Sequence, residues 1–340
     1  MTRRKSHPLI KITRWLVPLL ISAAAFWLIL RNVDLSQFLN NLSRVGIKAL
    51  FLSSLVYFAS LLMRVLCWFI LLKGKVSYKD AFFTMNAGYL LNNVFPFRLG
   101  ELGRALLLAD PQGPTALAAL SSVIVERVFD VFLAAVFVVG LLPRLFAAGY
   151  DQNLFLIIFI ITTLGMITLY LAARFRTRIL TWLTRWGKRA AFIENWLKPK
   201  AAQLLEGLSV LDKPVSFLFA FGSLLISWVL AFYQNFIIFN ALYSKPPFWW
   251  LIFVLSAGAL GMALPSAPAG LGVFEGAMVA AFALLSVDAD TALAHAILIH
   301  GMSFVYSNIF GLIGLHIRGE ALIGLYQRVI RRTPEVQTTK

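Results

Sequence analysis

Runs of about 20 apolar residues recur along the chain, and a helix of that length crosses the roughly 30 Å of a bilayer's hydrocarbon core. Hydrophobic residues make up 60% of the 340 residues and charged residues only 14%, which excludes a soluble globular protein. In lipid, backbone polar groups must be satisfied within the protein, and a helix does this inside each segment. The sequence therefore predicts an all-α polytopic integral membrane protein.

The apolar runs divide one membrane domain, residues 1–320, into six full transmembrane helices and two broken elements. The full spans are predicted at residues 12–30, 47–72, 116–142, 153–173, 215–242 and 291–317. The broken elements are predicted at residues 80–110 and 248–286, and we expect the basic tail 321–340 to be frayed. Residues 31–48 predict a short amphipathic helix in the membrane interface, and the basic stretch 174–213 contains tryptophans typical of interfacial anchors.

The first broken element carries charges in the middle of an apolar run, Ala87 to Leu108 (AGYLLNNVFPFRLGELGRALLL). Proline lacks an amide donor and clashes with the preceding turn, so Pro96 should end one helix near Phe95. A second helix, only about 15 Å long, can begin at Gly100. Irregular backbone at membrane depth persists only where protein or a water-filled cavity satisfies its polar groups. The stretch therefore predicts a binding site between two half-helices.

Three charged residues, Arg98, Glu101 and Arg104, follow the proline. The free amides and the dipole at the start of the second half-helix favour an anion, and the planar fork of arginine suits a phosphate. Ionisable residues at this depth are costly to place without a use, so we expect an anion site. The alternative is structural: the three residues neutralise one another and hold the break together.

A second charged cluster, Glu126, Arg127 and Asp130, lies inside the third predicted span. Glu126 and Asp130 are four residues apart and share one helix face, and Arg127 neighbours Asp130 at a spacing of three. This face must point into the bundle, where Arg98 or Arg104 is the expected partner of the acids. Structural ion pairing and a proton- or ion-coupled relay both remain open.

The second broken element contains PSAPAGLGVFE, from Pro265 to Glu275. Gly270 and Gly272 permit positive φ and a close approach of the backbone. Glu275 falls in the first turn of the returning helix, where the dipole stabilises a carboxylate. One interpretation is helix capping alone; the other is that this tip meets the first one and closes the cavity.

Two histidines in the last span, His295 and His300, are candidates for a proton relay, although interior histidines that only form hydrogen bonds are more frequent. They are five residues apart and lack a third ligand, and the lone Cys67 is no metal motif. We therefore expect no metal and no cofactor. Because the sequence has no phosphate loop, HExxH or GxSxG motif, we expect a transport protein rather than an enzyme.

The basic residues predict the topology. A net charge of +16 would suggest nucleic acid in a soluble protein, but here the basic residues cluster in loops. If both broken elements are re-entrant, most of the 31 Lys and Arg residues lie on the cytoplasmic side, together with both termini. The protein would then be a multi-pass protein of the plasma (inner) membrane. Its two halves would have opposite orientation, a candidate inverted repeat as in many secondary transporters.

Three ordered motifs resemble a known family. They are NNVFPFRLGELGRALLL, then ERVFD in the following span, then PSAPAGLGVFEGAM. This pattern is similar to the transmembrane region of lysylphosphatidylglycerol synthetases and of related stand-alone flippase-like membrane proteins, over most of residues 10–320. Family members often have a second glycine where this chain has Ala269. The resemblance implies movement of a lipid between leaflets, and we expect a stand-alone member without the synthase domain.

The expected function is that of a lipid translocase for an anionic or phosphate-bearing lipid, either a phospholipid or a polyprenyl-phosphate lipid. Its expected partners are membrane lipids, through an anionic headgroup or a lipid phosphate. The substrate-binding residues are predicted to be Arg98, Glu101, Arg104, Glu126, Arg127, Asp130, Gly270, Gly272 and Glu275.

Two alternatives remain. One is an integral-membrane lipid-phosphate transferase with Glu101 or Asp130 as base. The other is a membrane scaffold that docks a soluble lipid- or envelope-synthesis enzyme through the cytoplasmic basic stretch 174–213.

Overall fold

A computed structural model of the chain describes residues 20, 22–25, 27–29, 31, 33–95, 98–109, 113–146, 153–187, 192–262 and 267–332. Within these ranges the regular structure is helical throughout. The helices are α1 (Leu35–Arg44), α2 (Ile47–Leu71), α3 (Tyr78–Val94), α4 (Gly100–Leu107), α5 (Ala116–Phe146), α6 (Asn153–Arg174), α7 (Arg176–Gly187), α8 (Lys198–Leu208), α9 (Pro214–Leu242), α10 (Phe248–Gly261), α11 (Val273–Ala283), α12 (Ala289–Ile317) and α13 (Leu322–Arg332). A π-helical turn (Ile193–Leu197) precedes α8, and a 3-10 turn (Pro268–Gly270) precedes α11.

The helix boundaries follow the predicted segments closely. Helices α2, α5, α6, α9 and α12 cover the predicted full spans from 47–72 onwards, whereas most of the span 12–30 lies outside the described residues. Among the described helices, three are long and apolar enough by composition to cross a membrane: α2, α9 and α12. The all-helical fold is therefore confirmed at this level, and the count of six crossings stays a prediction.

The first broken element folds into a helical hairpin, with α4 running back along α3. A close approach of two glycines makes this possible, because a methyl group on Gly100 would overlap the carbonyl oxygen of Gly88. The side chain of Asn92 also closes the hairpin by accepting the Gly100 amide at 2.7 Å. Helix α3 ends at Val94, as the proline predicted, while Pro96 itself lies outside the described residues.

The second broken element forms a matching hairpin, with α11 running back along α10. A Cβ placed on Gly258 would lie 3.3 Å from the side chain of Met278, and one on Gly261 would lie 2.6 Å from the Cβ of Ala277. The 3-10 turn between the two helices packs against α3, so the tip of this hairpin meets the first hairpin. Residues 263–266, including Pro265, lie outside the described ranges.

The helices group into two units with the same plan. The first unit is α2, the hairpin α3–α4 and α5; the second is α9, the hairpin α10–α11 and α12. Within each unit the long first helix contacts both the hairpin and the last helix, and the hairpin's second helix packs on that last helix. Across the units, α3 packs on α12 as α10 packs on α5. Each helix pair named in one unit thus has a counterpart in the other.

The central pair α2 and α9 shows how the units are related. Ser60 on α2 donates a hydrogen bond to the carbonyl of Ser227 on α9 at 2.8 Å. Ser53, two turns earlier on α2, contacts the carbonyl of Gln234, two turns later on α9. The two helices are therefore antiparallel, so the first helices of the two units run in opposite directions. This is the packing expected of the candidate inverted repeat.

The remaining helices lie around these units. Helix α1 confirms the predicted short helix within residues 31–48, and Asn41 anchors it by donating to the Thr291 hydroxyl at 3.1 Å. The prediction of a frayed tail was wrong for α13, because Leu325 and Val329 are buried there: Leu325 belongs to an apolar cluster with α3 and α4, and Val329 faces Gly103 of α4. The sequence 333–340 lies outside the described residues.

We expect Gly100→Ala to lower the free energy of unfolding in detergent by about 1–3 kcal/mol, because the added methyl forces α3 and α4 apart. Gly222→Ala in α9 is the control, since no atom lies within 4 Å of the position of its Cβ. That change should leave stability equal or raise it by up to about 1 kcal/mol. Equal effects of the two substitutions would contradict the close packing of the hairpin.

Candidate functional site

A cavity of about 410 Å³ lies where the two hairpins meet. Residues from α2 to α5, from α9 to α12 and from both breaks line it, which places it between the two units. The polar lining residues are Tyr57, Ser60, Arg64, Tyr89, Asn92, Asn93, Arg98, Glu101, Arg127, Asp130, Trp228, His300, Ser303 and Ser307. The volume falls in the range of roughly 300–1,000 Å³ typical of small-molecule sites.

Arg98 is the cavity cation that lacks an acidic partner. It lies in the break between α3 and α4 with φ 50°, in the left-handed region that non-glycine residues rarely adopt. Among the described residues no carboxylate oxygen lies within 4.0 Å of its guanidinium. Glu101 instead lies 3.4 Å from the Asn92 amide nitrogen, so the self-neutralising cluster of Arg98, Glu101 and Arg104 does not form. Arg98 therefore faces the cavity with its charge uncompensated by a direct ion pair.

Asp130 holds two cavity walls together. A single guanidinium nitrogen of Arg64 on α2 lies 2.7 and 2.9 Å from its two carboxylate oxygens. Trp228 on α9 donates its indole N–H to the same carboxylate at 3.1 Å, and Arg127 approaches it at 3.4 Å. Asp130 thus joins the two units across the cavity.

Glu126 lies behind the cavity wall and is completely buried. Its carboxylate contacts Arg104 at 2.8 Å, Arg127 at 3.0 Å and Arg64 at 3.6 Å. Arg104 is itself only 1% exposed, and its guanidinium stacks 4.6 Å from the centre of the Trp68 ring. The structure therefore places Arg104 in a buried ion pair rather than at the cavity surface. Arg104 is one of the two arginines that the sequence suggested as partners of Glu126 and Asp130.

The second hairpin lines the cavity with uncharged residues. Gly270 and Gly272 have φ of 77° and 81°, which confirms their predicted positive φ. Glu275 lies in the first turn of α11, where it accepts the Gly272 amide at 2.7 Å and contacts Nδ1 of His300 at 2.6 Å. Because His300 lines the cavity and Glu275 is buried behind it, the carboxylate orients the imidazole.

The two histidines do not form a relay with each other. His295 is fully buried and packs edge-to-face against the stacked rings of Phe239 and Phe282, with its ring centre 5.3 Å from each. Its Nε2 lies 2.9 Å from the side-chain oxygen of Asn235, away from the residues that line the cavity. Of the two histidines, His300 is the one that lines the cavity. In the ranges that the structure describes, no group of three or more His, Cys, Asp or Glu side chains could hold a metal ion.

Sequence reasoning missed several cavity residues. Arg64 lies deep in a 25-residue apolar helix whose other charged residue, Lys48, is at its start, and the cost of placing a charge at that depth is a signal that could have identified it. Tyr57, Tyr89 and Trp228 carry no such signal, because aromatic residues are common throughout membrane helices. Their place in the cavity depends on the packing of α2 and α3 against α9 and α12.

A comparison with protein-family models matches residues 15–311 to the lysylphosphatidylglycerol synthase transmembrane region. The chain belongs to this family. The family is a membrane family with a lipid-related role, so this chain is a multi-helix membrane protein whose function concerns membrane lipids. No curated protein and no solved structure matches the chain significantly.

The tip of the second hairpin is strained at Ala269. Ala269 has φ 60°, and a Cβ in that left-handed region costs roughly 1–2 kcal/mol. We expect Ala269→Gly to raise the free energy of unfolding by about 1 kcal/mol. Ala280→Gly, at an exposed helical position of α11, should lower it by about as much. If both substitutions changed the free energy of unfolding in the same direction, the result would contradict the strain at the tip.

We expect Glu126→Gln to lower the free energy of unfolding by about 3–5 kcal/mol, since it leaves the buried Arg104 charge without a carboxylate. Glu194→Gln is the control, because it breaks a surface pair with Lys198 and should change stability by no more than about 0.5 kcal/mol. Chemical unfolding in detergent measures both. A double variant, Glu126→Gln with Arg104→Met, should recover much of the loss; no recovery would contradict the pairing.

Proposed function

We propose that this protein moves an anionic or phosphate-bearing lipid between the leaflets of the membrane. The observation that carries the proposal is Arg98, which forms no direct ion pair with a carboxylate in the part of the chain that the structure describes and faces a cavity enclosed by two oppositely oriented helical hairpins. Family membership supplies the lipid-related role, and the geometry suggests how a headgroup is received.

The hairpins are proposed to be re-entrant. Helix α4 has eight residues and a length of about 12 Å, too short for the roughly 30 Å of hydrocarbon. Its return along α3 means that the chain can leave the membrane on the side where it entered. The same argument applies to α10 and α11, which enter from the opposite side because the units are antiparallel. The cavity between the tips would then lie near the membrane midplane, with both termini and the basic segments on the cytoplasmic side.

A headgroup phosphate is proposed to bind at Arg98, with Arg127 as a second donor on the same cavity wall. The planar guanidinium can donate two parallel hydrogen bonds to phosphate oxygens. Three arginines and two acids line the cavity, so the lining carries one net positive charge with His300 neutral; they are Arg64, Arg98, Arg127, Glu101 and Asp130. This positive charge would compensate one negative charge on a headgroup, whereas it would not compensate the charge of a cationic headgroup.

The other predicted site residues are proposed to support this site. Arg104 and Glu126 hold the first hairpin on α5, and Asp130 fixes Arg64 so that it cannot turn away from the cavity. Gly270 and Gly272 would allow the second tip to change its backbone as the cavity opens on one side or the other. Glu275 would keep His300 oriented toward the lipid.

Reconstitution in vesicles tests the proposal. The probes are fluorescent phosphatidylglycerol, phosphatidylcholine and a polyprenyl phosphate. The measurement is the rate at which labelled lipid from the inner leaflet becomes accessible to a quencher added outside the vesicles. We expect Arg98→Gln to slow exchange of the preferred anionic lipid by roughly ten- to hundredfold, the loss for one charge-assisted hydrogen-bonding group.

Two control variants define the result. Arg98→Lys keeps the charge but loses the planar fork, and it should fall between wild type and Arg98→Gln. Arg44→Gln removes an exposed arginine at the end of α1, far in sequence from the breaks, and should leave exchange unchanged. Wild-type exchange no faster than in protein-free vesicles, or full exchange by a folded Arg98→Gln variant, would contradict the proposal.

A further inference from the structure

Helix α13 covers the first hairpin at the point where that hairpin breaks. The ring of Tyr326 on α13 stacks on the ring of Phe95, with centroids 3.8 Å apart and 11° between the planes. Phe95 directly follows the last residue of α3, and it lines the cavity. Helix α13 lies beyond residues 15–311, the range that matches the family model, so the family does not account for it.

The contact is part of a larger docked surface. Leu325 and Val329, one turn apart on α13, are buried, and Val329 faces Gly103 on α4. The hairpin's apolar cluster, formed by Leu91 and its neighbours, includes Leu325 directly. On the opposite face of α13, Ile323 is 66% exposed, so the helix presents one side to the hairpin.

The segment that leads into α13 fastens the base of the same hairpin. Arg318, at the end of α12, donates to the carbonyl of Leu107 at 2.9 Å and to the carboxylate of Asp80 at 3.1 Å. Asp80 lies in the first turn of α3 and Leu107 ends α4, so one guanidinium joins the hairpin's two open ends. Arg318 holds the base while Tyr326 holds the break.

We propose that α13 is a latch on the first hairpin and that Tyr326 is its positioning residue, acting on the cavity through Phe95, which lines it. The stack fixes the aromatic ring that borders the cavity three residues before Arg98. Undocking of α13 frees Phe95 and the break, which widens access to the cavity. The consequence for lipid exchange rests on the proposed function, whereas access to the cavity can be measured without it.

Cysteine labelling tests the latch. The single native cysteine, Cys67, is buried and is replaced by alanine. Ser303→Cys then places one thiol in the cavity wall, and the rate of its reaction with a water-soluble maleimide in detergent reports access. Tyr326→Ala should accelerate labelling by between about two- and tenfold, the shift expected for loss of one aromatic stack. Tyr326→Phe keeps the stack and should label at the starting rate.

Three further variants separate positioning from loss of structure. Ile323→Gln changes an exposed side chain of the same helix and should not alter labelling. Tyr326→Leu keeps bulk but loses the stack, so it serves if Tyr326→Ala does not fold. In a Phe95→Leu background, Tyr326→Ala should have no additional effect. Labelling that is unchanged or slower in both Tyr326→Ala and Tyr326→Leu would overturn the proposal. So would an equal acceleration of labelling by Tyr326→Ala in the Phe95→Leu background.

The same variants in the vesicle assay distinguish the two proposals. We expect Tyr326→Ala to change the lipid concentration at half-maximal exchange more than the maximal rate, because it changes access rather than the binding groups. If wild-type protein exchanges no lipid but Tyr326→Ala still accelerates labelling, the latch stands and the proposed function fails. If the wild-type protein exchanges lipid but Tyr326→Ala leaves the labelling rate unchanged, the latch proposal fails and the proposed function stands.

Discussion

The structure depends on one buried carboxylate. Glu126 contacts arginines from three helices, namely Arg64 on α2, Arg104 on α4 and its neighbour Arg127 on α5. A buried charge is costly unless it is paired, so these contacts fix the position of the first hairpin against the two long helices of its unit. They also hold Arg104 in the interior, which leaves Arg98 as the arginine of the first motif that faces the cavity.

The second constraint is the antiparallel relation of the two units. Contacts between α2 and α9 place the units in opposite orientation, and each unit supplies one hairpin to the centre. The two tips differ chemically: the first carries Arg98, whereas the second carries glycines with positive φ and is followed by Glu275, which orients His300 of α12. One tip is therefore suited to bind an anion and the other to move, a division of labour that fits the proposed transport.

Much of the fold could be predicted from the sequence because apolar length and proline placement are local signals. The end of α3 near Phe95, the start of α4 at Gly100 and the position of Glu275 in α11 all follow from them. The prediction that an arginine of the first motif pairs with the acids of α5 was confirmed for Arg104.

Other features depend on packing that no local pattern reveals. The choice of Arg104 rather than Arg98 as the partner of Glu126 is decided by the return of α4 along α3, which turns one arginine inward and the other to the cavity. The burial of α13 depends on a groove formed by α3 and α4, so its sequence alone resembled a frayed tail. Trp228 reaches Asp130 because α9 packs along α2, which in turn contacts α5.

The central claim is that the cavity between the hairpins is a polar site at membrane depth. Spin labels at Val131→Cys and Ser303→Cys, in a Cys67→Ala background in lipid bilayers, test it through their collisions with oxygen and with a water-soluble nickel chelate. The account predicts that both labels lie near the middle of the hydrocarbon core and are still reached by the chelate. Labels at headgroup depth, or labels deep in the bilayer that only oxygen reaches, would contradict it.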